Sequence, residues 1–143
     1  MHNALPEVGA RQPPIALRRS DHQALLAIAY GALLKDTRSA GSLLEEVSRA
    51  ELMSDDAVTT TVALWSRVLF VDGRSDTPQM ITLVPPEAAS SAEGRASVLS
   101  PVGAALIGLS KGQHIRRPDR HGGELSLTVV DIFPPDHTPG ERE

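Results

Sequence analysis

The residue types able to do chemistry are present but dispersed. The five histidines, His2, His22, His114, His121 and His137, form no pair at helical spacing and no H-E-x-x-H pattern that would turn two imidazoles toward one metal. They read as solvated side chains. Carboxylates double up at Glu45-Glu46 and Asp55-Asp56. Such pairs can meet a cation or a basic partner, and more often form a solvated face or a boundary loop. Ser100 stands before Pro101 without a G-x-S-x-G elbow, so neither base nor oxyanion hole is indicated and a helix cap explains it better. Gly103 and Gly108 lack the G-x-x-x-x-G-K-[ST] frame of a phosphate loop and suit close packing of a short helix, with Gly108 as its left-handed stop. Arg116, Arg117 and Arg120, with Lys111 nearby, form a local basic cluster in the second half. They fit either a contact to an acidic partner or the charged guard of an edge strand. Leu106, Ile107 and Leu109 are apolar enough for a partner patch, although burial under their own sheet accounts for them better.

Composition narrows the function classes further. There is no cysteine, which excludes disulfides, zinc–thiolate sites and thiol catalysis. A net charge of −4 is the wrong sign for independent nucleic-acid binding, which needs cations to displace counterions from phosphate. Aromatics make up 3% of the chain, namely Tyr30, Trp65, Phe70 and Phe133, so the core must be aliphatic and an aromatic-lined pocket is hard to build. No apolar run approaches the roughly 20 residues that span a bilayer, and the first twenty residues lack the apolar stretch of a signal peptide. The expectation is a cytoplasmic protein without membrane contact, cofactor or metal.

The elements that must position these residues fall in two halves. Ser20-Asp21-His22-Gln23 has the form of a capping box, followed by an Ala/Leu-rich stretch to about Leu34. Residues 35–41 read as a loop, and Ser42-Leu43-Leu44-Glu45 as a second capping box opening a helix that ends near Met53. Two short helices so joined pack antiparallel. From Ala57 the pattern turns β-branched, with strands expected over 58–64, 66–71, 79–84, 96–99, 113–116 and 124–133, and a loop over 87–94. Between them, Ser100-Pro101 through Gly108 should form one helix of about two turns, with Ser at the cap, Pro at the first position and Gly past the end. The expected divisions are a flexible lead over 1–14, a helical hairpin over 15–54, an antiparallel β-domain with one short helix over 55–134, and a flexible tail over 135–143. The fold class is α+β.

Ser97-Val98-Leu99-Ser100-Pro101-Val102-Gly103-Ala104-Ala105-Leu106-Ile107-Gly108-Leu109-Ser110-Lys111-Gly112 resembles the C-terminal signature of the Gre transcript-cleavage factors. Within that family it is most similar to the regulators of nucleoside diphosphate kinase (Rnk), where the element reads SVMAPVGAALLGL. Trp65-Ser66-Arg67-Val68-Leu69-Phe70 likewise resembles that group's NSRVKF strand. The resemblance spans roughly residues 14–134. It implies an FK506-binding-protein-like C-terminal domain that contacts RNA polymerase near the secondary channel, with Ser100, Pro101, Gly103, Leu106, Gly108, Lys111, Arg116 and Arg117 as candidate partner-binding residues. It also implies a hairpin tip built from Lys35, Asp36 and Arg38. Gre factors carry acidic residues at that tip, which hold a second metal for RNA hydrolysis. Here one carboxylate stands between two cations, a poor site for a hard divalent ion that wants several oxygen donors. The implied protein is a non-enzymatic, monomeric polymerase-binding regulator. The alternatives are a peptidyl-prolyl isomerase and an interaction module with a non-polymerase partner.

Overall fold

A computed structural model describes residues 12–118 and 122–135. Its element order is β1 (Ala16–Arg18), α1 (Arg19–Ala32), α2 (Thr37–Arg49), β2 (Glu51–Met53), β3 (Arg67–Asp72), β4 (Gln79–Val84), β5 (Arg95–Ser97), α3 (Pro101–Leu106), β6 (His114–Pro118) and β7 (Glu124–Phe133). The α+β class expected from the sequence is the observed one: a helical pair, then a curled sheet holding one short helix. The sheet has five strands in the order β5-β4-β3-β7-β6. It is mixed rather than wholly antiparallel, because β4 and β5 run parallel.

The helical pair is anchored at both ends. Leu25 and Ala29 of α1, four residues apart, meet Leu43 and Val47 of α2, also four apart, in the same buried cluster as Val68, Leu83, Leu106 and Leu127. The segments flanking the pair close into a small parallel ribbon, with Leu17 opposite Leu52. That ribbon was not foreseen, since three-residue strands carry no readable alternation. The second helix ends at Arg49, not near Met53, because residues 51–53 are taken into the ribbon.

Neither expected capping box forms. α1 begins one residue before Ser20, and its N-cap residue Arg18 makes no side-chain cap bond. The free Ser20 N–H donates instead to Asp55 Oδ1 at 3.0 Å, a cap delivered from across the fold. α2 begins at Thr37, five residues ahead of the expected Ser42. Its cap is Asp36, which accepts from the Ser39 N–H at 3.1 Å and the Ser39 hydroxyl at 2.7 Å. The 35–41 loop therefore shrinks to a tight turn.

The Val/Thr alternation over 58–64 does not make a strand. Its backbone groups pair instead with the far side of α3, where Gly108 N–H donates to Val62 O at 2.8 Å and Val62 N–H to Leu109 O at 2.9 Å. The Thr61 hydroxyl donates to Ala16 O at 2.7 Å. Two short 3-10 turns, Pro86–Ala88 and Ser91–Glu93, occupy the expected 87–94 loop. The strands at 67–72, 79–84, 95–97, 114–118 and 124–133 lie within two residues of their expected positions.

Of the lead expected over 1–14, residues 1–11 lie outside the described residues, as does the tail beyond Pro135. Gln12, Pro13 and Pro14 are hydrogen-bonded to Arg116, Arg49 and Gln113 respectively.

Two checks follow. Gly31 sits in α1 with open space around it, so Gly31→Ala is expected to raise stability by about 0.5–1 kcal/mol in thermal or chemical melts. Asp55 is held below the usual carboxylate range, first by the Ser20 backbone hydrogen bond, then by the Ser20 hydroxyl and the nearby Arg18 and Arg19. A carboxyl depressed on folding adds stability above its unfolded pKa and loses it as pH falls through the folded one. The destabilisation caused by Asp55→Ala is therefore expected to be full at neutral pH. It should fade as pH drops below about 4, read from melts across pH.

Candidate partner-docking site

The signature around α3 is built for packing. Ser100 accepts the Gly103 N–H at 3.1 Å, and its hydroxyl donates to Ser97 O at 2.7 Å, so the cap ties the helix to the end of β5. Pro101 follows as first helical residue and is exposed. Gly103 is buried, and a Cβ there would collide with the Ser97 carbonyl. Leu106 is fully buried in the core. Gly108 has φ +81°, and a Cβ on it would stand 2.8 Å from Ile15 Cβ. Four of the candidate partner residues, Ser100, Gly103, Leu106 and Gly108, thus spend their side chains, or their lack of one, on the fold itself.

The expected basic cluster is divided among different neighbours. Lys111 is exposed and lies 3.8 Å from Asp131. Arg116 is exposed on β6. Arg120 and His121 lie outside the described residues, as do His2 and His137. Arg117 turns onto the helical pair. It pairs with Glu46, and with Glu45 at 3.0 Å. Glu46, whose side chain is 4% exposed, also takes Arg49 Nε at 2.9 Å, and Arg49 donates to Pro13 O at 2.6 Å. This clasp joins α2, β6 and the incoming chain. The solvated face expected for Glu45-Glu46 holds for Glu45 alone; Glu46 falls three residues after Leu43 on the buried stripe of α2, a spacing that could have marked it as a charge needing a buried partner.

At the hairpin tip, Lys35, Asp36 and Arg38 are all exposed. Asp36 caps α2 as described above. Arg38 reaches a cavity of about 460 Å³ that is also lined by Ser39, Ser42, Pro101 and Arg117. The tip, the signature proline and the clasp arginine, far apart in sequence, are thereby brought to one place. Among the described residues no group of three or more His, Cys, Asp or Glu is placed to hold a metal. Asp55 caps α1, and His114 bonds the hydroxyls of Thr128 at 2.7 Å and Ser126 at 3.1 Å.

The family model described as transcription elongation factor GreA/GreB, C-terminal, matches residues 57–134. That is more than half of the chain. The chain belongs to the GreA/GreB family. A prokaryotic transcription elongation factor GreA/GreB from Nitrosomonas europaea is similar at 28% identity, with 84% of this chain and 99% of that one covered and a TM-score of 0.65. GreA factor homolog 1 (Gfh1) of Thermus thermophilus is similar at 18% identity, covering 85% of this chain and 100% of that one, with a TM-score of 0.44. Gfh1 of Thermus aquaticus stands at 19% identity, 85% and 99% coverage and 0.45. No curated protein matches the chain.

Within this GreA/GreB chain, removing one partner of the clasp leaves a buried carboxylate with one cation instead of two. Arg117→Ala is expected to destabilise by about 2–4 kcal/mol in chemical denaturation. Arg117→Met combined with Glu46→Leu should recover most of that loss, because an apolar pair of similar size avoids the desolvation cost.

Proposed function

We propose that this GreA/GreB family member binds RNA polymerase near its secondary channel and regulates transcription without cleaving the transcript. Family membership supports the kind of partner. The arrangement at the hairpin tip carries the second half of the reading. Asp36 is the one carboxylate between Leu34 and Gly41, and its two oxygens accept from Ser39 as the cap of α2. A carboxylate committed to a helix cap and flanked by Lys35 and Arg38 is a weak ligand for a hard divalent ion. The arms are also short. Helices of 14 and 13 residues reach about 20 Å, and their apolar faces are committed to the core. Such an arm suits competition at a channel mouth better than delivery of a catalytic group deep within it.

The finer reading is of the Rnk type, with an FK506-binding-protein-like β-domain over 55–134, a hairpin over 15–54, and a monomer acting in the cytoplasm. No helix among the described residues is long and apolar enough to cross a membrane. Prolyl isomerisation is the weaker alternative. Phe70 is buried in the core, and the cleft lined by Trp65 does not include it, so these aromatics do not converge on one pocket.

Co-purification with core RNA polymerase, followed by a cleavage assay on stalled elongation complexes, tests the proposal. Binding with no RNA shortening is expected. Asp36→Asn should change neither stability nor this outcome, since Asn caps as well as Asp, whereas Asp36→Ala should cost about 1 kcal/mol in melts and still leave cleavage at background. RNA shortening that disappears in Asp36→Asn would refute the assignment.

A further inference from the structure

The outer face of the sheet carries a cleft that neither the α3 signature nor the hairpin tip uses. It is lined by Trp65, Arg67, Thr82, Arg95, Pro134 and Pro135 and holds about 460 Å³. Strand register explains how it forms. Phe133 on β7 is level with Arg67 on β3, Arg67 with Thr82 on β4, and Thr82 with Arg95 on β5. Residues level across a sheet share a face, so the two guanidinium stems rise from one row, two strand spacings or about 10 Å apart. The Arg67 guanidinium lies over the Phe133 ring, its Cζ 5.4 Å from the centroid, a cation–π contact that holds the head on this face of the sheet with its N–H edge open to the cleft. The neighbour recorded for Arg95 is Glu93 at 3.3 Å, with side chains 40% and 62% exposed, a pairing weak enough for a better-placed carboxylate to displace.

Trp65, two residues before Arg67 in the chain, lines the same cleft. It has φ +69°, the one non-glycine residue with positive φ among the described residues, where a bulky side chain is strained. The strain is held by the Trp65 N–H bond to Leu83 O and by the Ser66 hydroxyl, which accepts the Ala63 N–H at 3.0 Å. The result is an indole left 43% exposed beside two arginines, although the chain carries a net −4 charge.

We infer that this cleft is a docking site for an acidic segment of a protein partner, with Arg67 and Arg95 taking carboxylates and Trp65 covering an adjoining apolar side chain. Paired arginines suit planar carboxylates, and an aromatic beside arginines is the usual composition of an interface anchor. A single indole offers no run of stacking platforms for a nucleic-acid strand. The identification of the partner as RNA polymerase rests on the function proposed above; the cleft's preference for acidic peptide does not.

Trp65 is the sole tryptophan, so its fluorescence reads the cleft directly. Titrating the full chain with a synthetic amphipathic Glu/Leu peptide should give a saturable spectral shift that weakens with salt. Arg67→Glu and the gentler Arg95→Gln should each weaken binding roughly tenfold with little change in melting temperature, while Arg74→Glu in the β3–β4 turn should stay within about twofold. A Lys/Leu peptide should produce no shift. The inference is overturned by an absent shift, by an equal response to the Lys/Leu peptide or to inorganic phosphate, or by unchanged affinity in both arginine variants. Truncation after Pro135 should leave peptide affinity unchanged; a large gain would make the chain's own acidic end the occupant and overturn the partner assignment. Core RNA polymerase then separates the two ideas. Peptide binding without polymerase binding defeats the polymerase reading alone. Polymerase binding that is equal in all variants defeats the cleft alone.

Discussion

The structure depends on how closely the chain can approach both ends of α3. At its start, Gly103 lets the helix sit against the Ser97 carbonyl, and at its end Gly108 lets Ile15 lie flat on the backbone. Three segments meet at that second point. Gly108 O accepts from Ala16 N–H at 3.1 Å, Gly108 N–H donates to Val62 O at 2.8 Å, and Leu109 O accepts from Val62 N–H at 2.9 Å. A side chain at either glycine would pry the incoming strand or the 57–63 segment off the helix. Ile107 and Leu109, on either side of Gly108, are fully buried, so this junction is also the centre of the core.

From that junction the remaining architecture follows. β1 is held against the end of α3, which fixes where α1 begins, and the parallel pairing of β2 with β1 fixes where α2 must finish. The Glu46–Arg117 clasp then secures the other side of α2 to β6. With α3, the inner sheet face and the buried stripes of both helices consumed internally, the hairpin tip and the outer sheet face stand free of the core. The signature residues that mark the family are therefore mostly a folding device.

The sequence was most legible where local chemistry and tertiary role agree. Ser100-Pro101 is a cap and a first-turn proline in any context, and it forms α3 as read. The runs ending at Val71, Val84 and Phe133 are rich in β-branched and apolar residues, and each lies in the sheet. Legibility failed where a distant group supplied the missing partner. Ser20 could not reveal that Asp55 would cap its helix, and the polar start of α2 hid a helix whose Ser39 and Ala40 are buried only by tertiary contact. The Val/Thr alternation over 58–64 looks like a strand, yet its polar groups are satisfied by Gly108, Leu109 and Ala16 in place of a ladder. The outer cleft was invisible because its members sit on four separate strands and turns, and only the register aligns them.

On the function and the cleft proposed above, this fold grips the transcription enzyme with its outer surface while its inner residues serve packing. Trp65 permits one direct measurement. Biosynthetic incorporation of fluorotryptophan gives a single fluorine resonance from that position. Adding unlabelled core RNA polymerase should move the resonance to a new position, complete at one equivalent. A line that stays in place with polymerase in excess would contradict the account.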